Sequence, residues 1–435
     1  ERARVAYATV DGSAMKQVYA RLLRDLTEGK AGCRTIDNGA RVAMVVMSQY
    51  PSDPRVRREA EALEKEGMLV HIICLRGADE RRVETLGHVT AYRVLRVGDK
   101  ARMPRYLWLT GKFLVVSFWV LLRLWRRHRY QLCQVHNMPD YLVFAPIWLR
   151  ICGVPVVLDL HDLSVELFIS RWGEQRARIL GPLVRLTERL ACKFASHLIT
   201  ASGGFRERLL ARGVPPQKLT LILNSADDRI FHPLQREFRR IDRDARLLYH
   251  GTVAQRFGID LAIEAVALLQ ESIPGTALQI HSRYDPRYLR VLKERVRHLG
   301  LEDLISFGGF VSLEEISKVI GSSDIGVVPY VSDPFMDIAL STKAFEYVAV
   351  GLPVVASRLP SISSVFSDDC VEYFQAGDAK DMAAKIEFLC AHPDLRRSLT
   401  RGAFRAYEEI SWPVMKRRYV DLVNSLTGRN GKHRE

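Results

Sequence analysis

Short apolar runs alternate with stretches of helical periodicity from Arg41 almost to the end of the chain. "RVAMVVMS" (41–48) is a continuous apolar run of strand length, as in a strand buried on both faces. "RVRREAEALEKEG" follows with apolar residues at helical spacing and closes on Gly67 as a C-cap; "MLVHIICLR" is the next strand. Strand, helix, strand at this spacing is a βαβ unit and predicts a parallel sheet. "YQLCQVHN" and "VPVVLDLHD" are strands separated by a helical segment, and "SHLITAS" and "KLTLILNS" complete a first α/β series near Asn224. A second series starts at "RLLYHG". It runs through "GIDLAIEAVALLQ", "ALQIHS", "YLRVLKERVRHLG", "LISFGGF", "LEEISKVIGSS", "IGVVPY", "STKAFEYVAVGLPVVAS" and "CVEYF".

Two successive doubly wound parallel-sheet domains are the economical reading. The chain has 435 residues, too many for one core of ordinary size. The expected division is an N-terminal appendage (1–38), with a helix over Met15–Leu26, a first domain (39–230) and a second (231–405). A C-terminal helical segment and tail follow (406–435), broken at Trp412–Pro413. "DDRIFHPLQREFRR" is the expected linker, and the final "TGRNGKHRE" reads as loose.

Composition narrows the function classes only modestly. The net charge of +14 favours anionic partners: nucleic acid, acidic lipid or phosphorylated substrates. No zinc-ligand spacing or aromatic RNA-binding signature accompanies it, which argues against nucleic acid. The seven cysteines are scattered and form no CxxC pair, so they read as reduced, mostly buried thiols of a cytosolic protein.

In doubly wound sheets ligands bind beyond the carboxyl ends of the strands. The residues found there are "QYPSDPRVR", "HNMPD" and "HDLSVE" in the first series, contributing Asp53, Arg55, His136, Asp140, His161 and Asp162. In the second they are "HGTVAQRFG", "HSRYD" and "SDPFMDIALSTK". "HGTVAQRFG" joins a strand to a helix. It reads either as an ordinary βα loop with a solvated arginine, or as an anion site built from N–H groups near Gly251 and Thr252 together with Arg256. It is neither GxxxxGK[ST] nor GxGxxG.

"STKAFEYVAVG" places Ser341 as N-cap, with Lys343 and Glu346 three residues apart on neighbouring faces. A surface ion pair would be worth less than about 1 kcal/mol. The segment is otherwise core-like, so a polar ligand in a cleft explains the pair better: phosphate at Lys343 and the positive helix end, sugar hydroxyls at Glu346.

Taken together and in this order, these segments resemble the retaining glycosyltransferases of family 4, which have the GT-B fold. The resemblance runs from about Arg41 to Leu426 and rests on "SQYPSDPRVRREAEALEKEGMLVHII", "VHNMPDYLVFAP", "VVLDLHD", "LILNSADDRIF", "YHGTVAQRFGIDLAIEAV", "ISFGGFVSLEEISKVIGSSDIGVVPY" and "STKAFEYVAVGLPVVAS". It implies two Rossmann-like domains facing a cleft, with a C-terminal helix crossing back to the first. A nucleotide-sugar donor would bind in the second domain and an acceptor in the first, with retention of configuration and no metal or other cofactor. Arg256 matches the cation on the donor diphosphate, Glu346 the second glutamate of the family's E-x7-E motif, and His161 the histidine near the donor sugar.

Catalytic residues implied in this way are His161, Arg256, Lys343 and Glu346. Donor contacts add Gly251, Thr252, Arg283, Ser341 and Thr342; the acceptor side takes Asp53, Arg55, His136, Asp140 and Asp162. The chain departs from the pattern at Ile338, where the first glutamate would stand, with Asp337 one residue out of register. It departs again at "YPSDPRVR" in place of a glycine-rich turn, and at Ser282 and Arg283, where relatives often have glycines.

Residues 101–130, "ARMPRYLWLTGKFLVVSFWVLLRLWRRHRY", hold an apolar stretch short of the ~20 residues that span a bilayer. On a helix Arg105, Lys112, Arg123 and Arg126 share a stripe with Trp108 and Trp119. Leu107, Leu114, Phe118, Leu121 and Trp125 take the other side, expected to pack on the sheet. The segment reads either as a helix resting on an anionic membrane leaflet or as a core helix with a charged rim.

The expectation is thus a peripheral enzyme on the cytoplasmic side of the membrane, adding a sugar to a glycan or lipid-linked acceptor in polysaccharide synthesis. The rivals are an inactive nucleotide-sugar-binding scaffold and a GT-B sugar-nucleotide epimerase.

Overall fold

The computed structural model describes residues 39–96 and 103–429, the side chains at 103–105 and 174 excepted. The appendage 1–38 with its expected helix, residues 97–102, the Arg105 side chain and the tail from 430 lie outside the described residues.

Eight strands form the first sheet: β1 (Arg41–Gln49), β2 (Leu69–Arg76), β3 (Val83–Leu86), β4 (Val89–Arg96), β5 (Leu132–His136), β6 (Val156–Leu160), β7 (His197–Thr200) and β8 (Leu219–Leu221). Their order is β3-β4-β2-β1-β5-β6-β7-β8. Its helices are α1 (Pro54–Lys65), α2 (Met103–His128), α3 (Ile147–Ile151), α4 (Ser164–Phe194) and α5 (Gly203–Ala211).

The second sheet, in the order β11-β10-β9-β12-β13-β14, is built from β9 (Arg246–His250), β10 (Ala277–His281), β11 (Ile305–Gly308), β12 (Ile325–Val328), β13 (Val354–Ser357) and β14 (Glu372–Phe374). Its neighbouring strands pair in parallel. With it come α6 (Ile259–Leu269), α7 (Pro286–His298), α8 (Leu313–Ser322), α9 (Thr342–Val350), α10 (Pro360–Ser363), α11 (Ala379–Ala391), α12 (Pro393–Glu408) and α13 (Trp412–Leu426). These are two Rossmann-like domains. By internal contacts, residues up to His161, Leu186–Leu198 and those from Val420 group as one unit, and Asp162–Arg185 with Ile199–Tyr419 as the other.

The apolar runs are buried on both faces, as strands covered by helices must be: β5, β6, β12 and β13 have no exposed residue. The β3–β4 hairpin was not among the expected elements. Arg93 lies inside β4, 2% exposed, and interrupts the apolar pattern there. Its guanidinium is matched to Glu84, Glu80 and the carbonyl of Tyr50. The strand therefore reads as polar although it lies inside the sheet.

The inward face of α2 differs from the expected one. Phe113, Val116, Ser117, Val120, Leu121 and Leu124 are buried against β1 and β4, whereas Leu107 is 54% exposed and Leu114, Phe118 and Trp125 are half-buried. The contact face is turned by roughly one residue's ~100°. Thr110 and Ser117 account for the shift. Both are buried, and Thr110 Oγ1 donates to the Leu107 carbonyl. Trp108, Trp119, Arg123 and Arg126 are exposed, with Lys112 half-buried and its Nζ 4.9 Å from the Trp108 ring centre.

Candidate functional site

In the second unit the carboxyl ends of β9, β10 and β12 open onto a cavity of about 410 Å³. His250, Gly251, Thr252, Phe257, His281, Ser282, Arg283, Phe310, Tyr330, Thr342, Lys343 and Glu346 are among the residues that line it. Two glycines shape its β9–α6 wall. Gly251 has φ +103°, and a Cβ there would touch Lys343 Cε. Gly258 has φ +62° as the left-handed cap of α6, and a Cβ there would lie 1.8 Å from the Pro329 carbonyl oxygen.

α9 begins at this wall. Ser341 caps it through Ala344 N–H and is itself buried beside the Tyr330 hydroxyl, so its oxygen serves the helix end. The helix points the positive end of its dipole at the cavity, where Thr342 is exposed. Lys343 is 5% exposed. Its ammonium donates to the Tyr330 hydroxyl and lies 4.5 Å from the Tyr249 and Tyr330 ring centres and 5.3 Å from that of Phe257. Among the described residues no carboxylate forms an ion pair with it. Among the described residues, aromatic faces and one hydroxyl are what hold this buried cation.

Glu346 lies one helical turn along. His250 Nε2 stands 3.2 Å from its Oε2, off the line of a well-formed hydrogen bond. Burial, then Lys343 and His281, pull the His250 pKa down to about 3, so this histidine is neutral beside the carboxylate. At the cavity mouth the Arg283 guanidinium stacks 3.9 Å from the Phe310 ring centre. Arg256 does not line the cavity. It is half-buried by the Phe335 ring, and burial lowers its pKa while Asp333 opposes that.

Ile338 is buried. Ser202 Oγ donates to its carbonyl, and a Cβ at Gly204 would come within 2.8 Å of its own Cβ. Asp337 is turned to the Ser332 hydroxyl at 2.9 and 3.1 Å. The position of the missing glutamate is therefore a packing position in this chain.

The first unit holds a separate polar cluster around Asp159 in β6, which is fully buried. Arg55 grips the Asp159 carboxylate with Nε and Nη2 at 2.9 and 2.8 Å, and its Nε is also 3.3 Å from Glu59. Gln134 Nε2 donates to Glu59 at 2.6 Å. His136 Nδ1 and His161 Nε2 each lie 3.1 Å from the same Asp159 oxygen and 3.1 Å from each other.

Burial alone would raise the Asp159 pKa, but Arg55, then His161 and His136, hold it well below the carboxylate range. Burial would lower that of His161, yet Asp159 raises it. Glu59 is pushed up by burial and by Asp159. His136, Asp159 and His161 place three donor atoms within 4.8 Å of one another, the spacing of a metal site, but Arg55 already occupies both carboxylate oxygens.

Of the residues expected on the acceptor side, Arg55, His136 and Asp140 are buried within this cluster or its margin. Asp140 accepts from Asn137, whose Oδ1 takes the His161 N–H. Asp53 caps α1 and accepts from Ser48. His161 is the member that keeps a 23% exposed side chain. Sequence reasoning missed Asp159, although residues 159 and 161 share a face at the period of a strand. It also missed the aromatic cage, whose rings come from three separate segments.

Residues 52–225 match the glycosyl transferase 4-like domain, and residues 244–392 match the glycosyl transferases group 1 family. The chain is 26% identical over 286 residues to an MMP α-(1→4)-mannosyltransferase of Mycolicibacterium hassiacum, covering 64% of this chain and 67% of that one. It is 24% identical to an uncharacterized glycosyltransferase of Methanocaldococcus jannaschii, over 88% of this chain and 97% of the other. Among solved structures, the sucrose-phosphate synthase of Thermosynechococcus elongatus superposes with a TM-score of 0.73 at 20% identity, over 89% of this chain and 99% of that one. Anabaena HepE in complex with UDP-glucose superposes with a TM-score of 0.66 at 15% identity, over 88% and 99%. The two family matches, falling in order on the two Rossmann-like sheets, make this chain a glycosyltransferase of the GT-B fold.

Proposed function

We propose that the chain moves a sugar from a nucleoside-diphosphate sugar to a glycan or lipid-linked acceptor with retention of anomeric configuration and without a metal ion. The observation that carries this reading is Lys343: a cation 5% exposed, without a carboxylate partner among the described residues, at the N-terminal end of α9 and one turn before Glu346. Its surroundings suit a diphosphate, and Glu346 suits the paired hydroxyls of a ribose. A solved relative of the same fold, HepE, is described in complex with UDP-glucose, and the mannosyltransferase relative acts on a sugar.

In the proposed reaction the bond from the anomeric carbon to the diphosphate oxygen breaks, and the acceptor hydroxyl oxygen forms a bond to that carbon. The acceptor proton passes to the departing phosphate. Lys343, the end of α9 and the N–H groups near Gly251 and Thr252 stabilise the charge that grows on the leaving group. His161, held by Asp159, supports the donor sugar.

The outward Trp108, Lys112, Trp119, Arg123 and Arg126 stripe of α2 supports a place on the anionic cytoplasmic leaflet. The test is a thermal-shift screen of UDP-, GDP- and ADP-sugars, followed by a diphosphate-release assay with the nucleotide that binds. Binding with release supports transfer. Binding with neither release nor altered sugar would reduce the chain to a scaffold, and an altered sugar without release would make it an epimerase.

A further inference from the structure

We propose that the outward face of α4 is a second membrane contact: an apolar stripe flanked by arginines that docks on an anionic bilayer. It adds to the membrane association proposed for α2 but stands on a different helix, so the two fail separately.

α4 breaks at Gly173 (φ 77°, ψ 166°) and continues from there to Phe194. In the continuing segment Gly181, Glu188, Ala191 and Cys192 face inward. On the far side Ile179 is 79% exposed, Leu183 63%, Leu186 51% and Leu190 48%. Their 4-3-4 spacing puts all four within ~60° of one another on the helix wheel, along roughly 16 Å of helix. Leu180 borders the stripe at 47% exposed.

Arg178, Arg185, Arg189 and Lys193 are exposed and occupy the adjoining ~80°. From Gln175 to Lys193 the chain has five cations and one acid, and that acid, Glu188, is turned inward. Trp172 stands at the break, 41% exposed, with the Arg176 guanidinium 5.4 Å from its ring centre.

An exposed row of leucines needs a covering surface. The charge beside it selects which. A second copy docked antiparallel along the same seam would set arginine against arginine. A bilayer with acidic headgroups takes the leucines below the interface, the arginines at the phosphates and a tryptophan at the boundary. The combination of leucine stripe, one-sided arginine flank and tryptophan points to lipid rather than to protein.

The experiment is flotation of the full chain with phosphatidylcholine vesicles, with and without phosphatidylglycerol. Leu183→Glu/Leu186→Glu is expected to cut partition onto the anionic vesicles by roughly tenfold or more, while the nucleotide-dependent thermal shift persists. Arg178→Glu/Arg185→Glu/Arg189→Glu changes only exposed charges. It is expected to lose binding at low salt and to flatten the salt dependence, so it carries the test if the leucine variant fails to fold. The α2 variant Lys112→Glu/Arg123→Glu/Arg126→Glu is run in parallel and reports on α2 alone. Unchanged flotation of both α4 variants overturns the proposal whatever the α2 variant does. So does a wild-type dimer that Leu183→Glu/Leu186→Glu turns into a monomer without changing flotation, since the face would then belong to a second copy.

Discussion

Replacing Lys343 by methionine separates a ligand cation from a structural one. Methionine keeps the stem and its packing among Tyr249, Phe257 and Tyr330 and removes the charge. In the free protein this charge is buried without a carboxylate, so its removal relieves a desolvation cost that the hydroxyl and ring contacts only partly offset. The expected unfolding midpoint of the free variant is therefore equal to or above that of the parent. Toward the donor the same change removes a hydrogen bond to a charged group, worth roughly 1.5–3 kcal/mol. At about 1.4 kcal/mol per decade, Kd for the nucleoside diphosphate rises by about 10- to 150-fold. Calorimetric titration with nucleoside diphosphate and with nucleoside alone is the assay. The loss is expected for the diphosphate and not for the nucleoside. A lower midpoint with equal loss for both would mean that Lys343 braces the fold, and the anion-site argument would fail.

Five further outcomes follow. Asp159→Asn removes the two-point carboxylate partner of buried Arg55 and is expected to cost roughly 3–5 kcal/mol in urea unfolding; a loss below 1 kcal/mol would show that the cluster is not held by this carboxylate. Two histidines give opposite pH signatures. The folded pKa of His161 is raised, so its stabilisation is complete below its unfolded value near 6.5 and is lost as pH rises through the folded value; the midpoint difference between parent and His161→Asn should shrink from pH 6 upward. His250 is lowered to about 3, so the unfolded chain binds the extra proton between pH 6.5 and 3 and stability falls with pH across that window; His250→Gln should flatten this acid limb. Gly258→Ala forces a side chain into φ +62° and onto the Pro329 carbonyl, at about 2–4 kcal/mol measured by thermal unfolding. Ile338→Ala should lower stability by about 2–5 kcal/mol as a core truncation and leave nucleotide Kd unchanged, and a tenfold change in Kd would return position 338 to the donor site.

What could be read in the chain alone divides along a physical line. Strands buried on both faces are mostly apolar, so β1, β5, β6, β12 and β13 stand out as runs despite Gln134, His136 and Asp159, and the parallel order follows from the helices between them. β4 escaped because Arg93 is matched by acids brought from elsewhere, and pattern has no access to a matching partner. α2 was oriented wrongly for the related reason that a hydroxyl bonded to its own helix packs like a methyl group. The cavity was legible in part: Lys343 and Glu346 drew notice as charges in a core-like helix, and both line it. Their setting was not. Tyr249 and Phe257 flank the turn after β9, and Tyr330 follows β12, the fourth strand of that sheet; only the pairing of β9 with β12 brings them together.

The same contrast decides which residues have chemistry open to them. Arg55, His136, Asp140 and Asp159 are as polar as Lys343 and Glu346, and His136 and Asp159 stand at the carboxyl ends of β5 and β6. Each of them, however, is answered from within the protein: carboxylate by guanidinium, imidazole by carboxylate, amide by carboxylate. A polar group whose partners are already supplied has nothing left to offer a substrate except to hold a neighbour in place. In this cluster the neighbour is His161, the histidine that keeps an exposed edge. Lys343 is the reverse case, a charge taken out of water without a counter-charge among the described residues. The diphosphate of the proposed donor is the anion that would complete so costly an arrangement. Position in the fold gathers the polar residues, and the electrostatic remainder separates those that bind from those that brace.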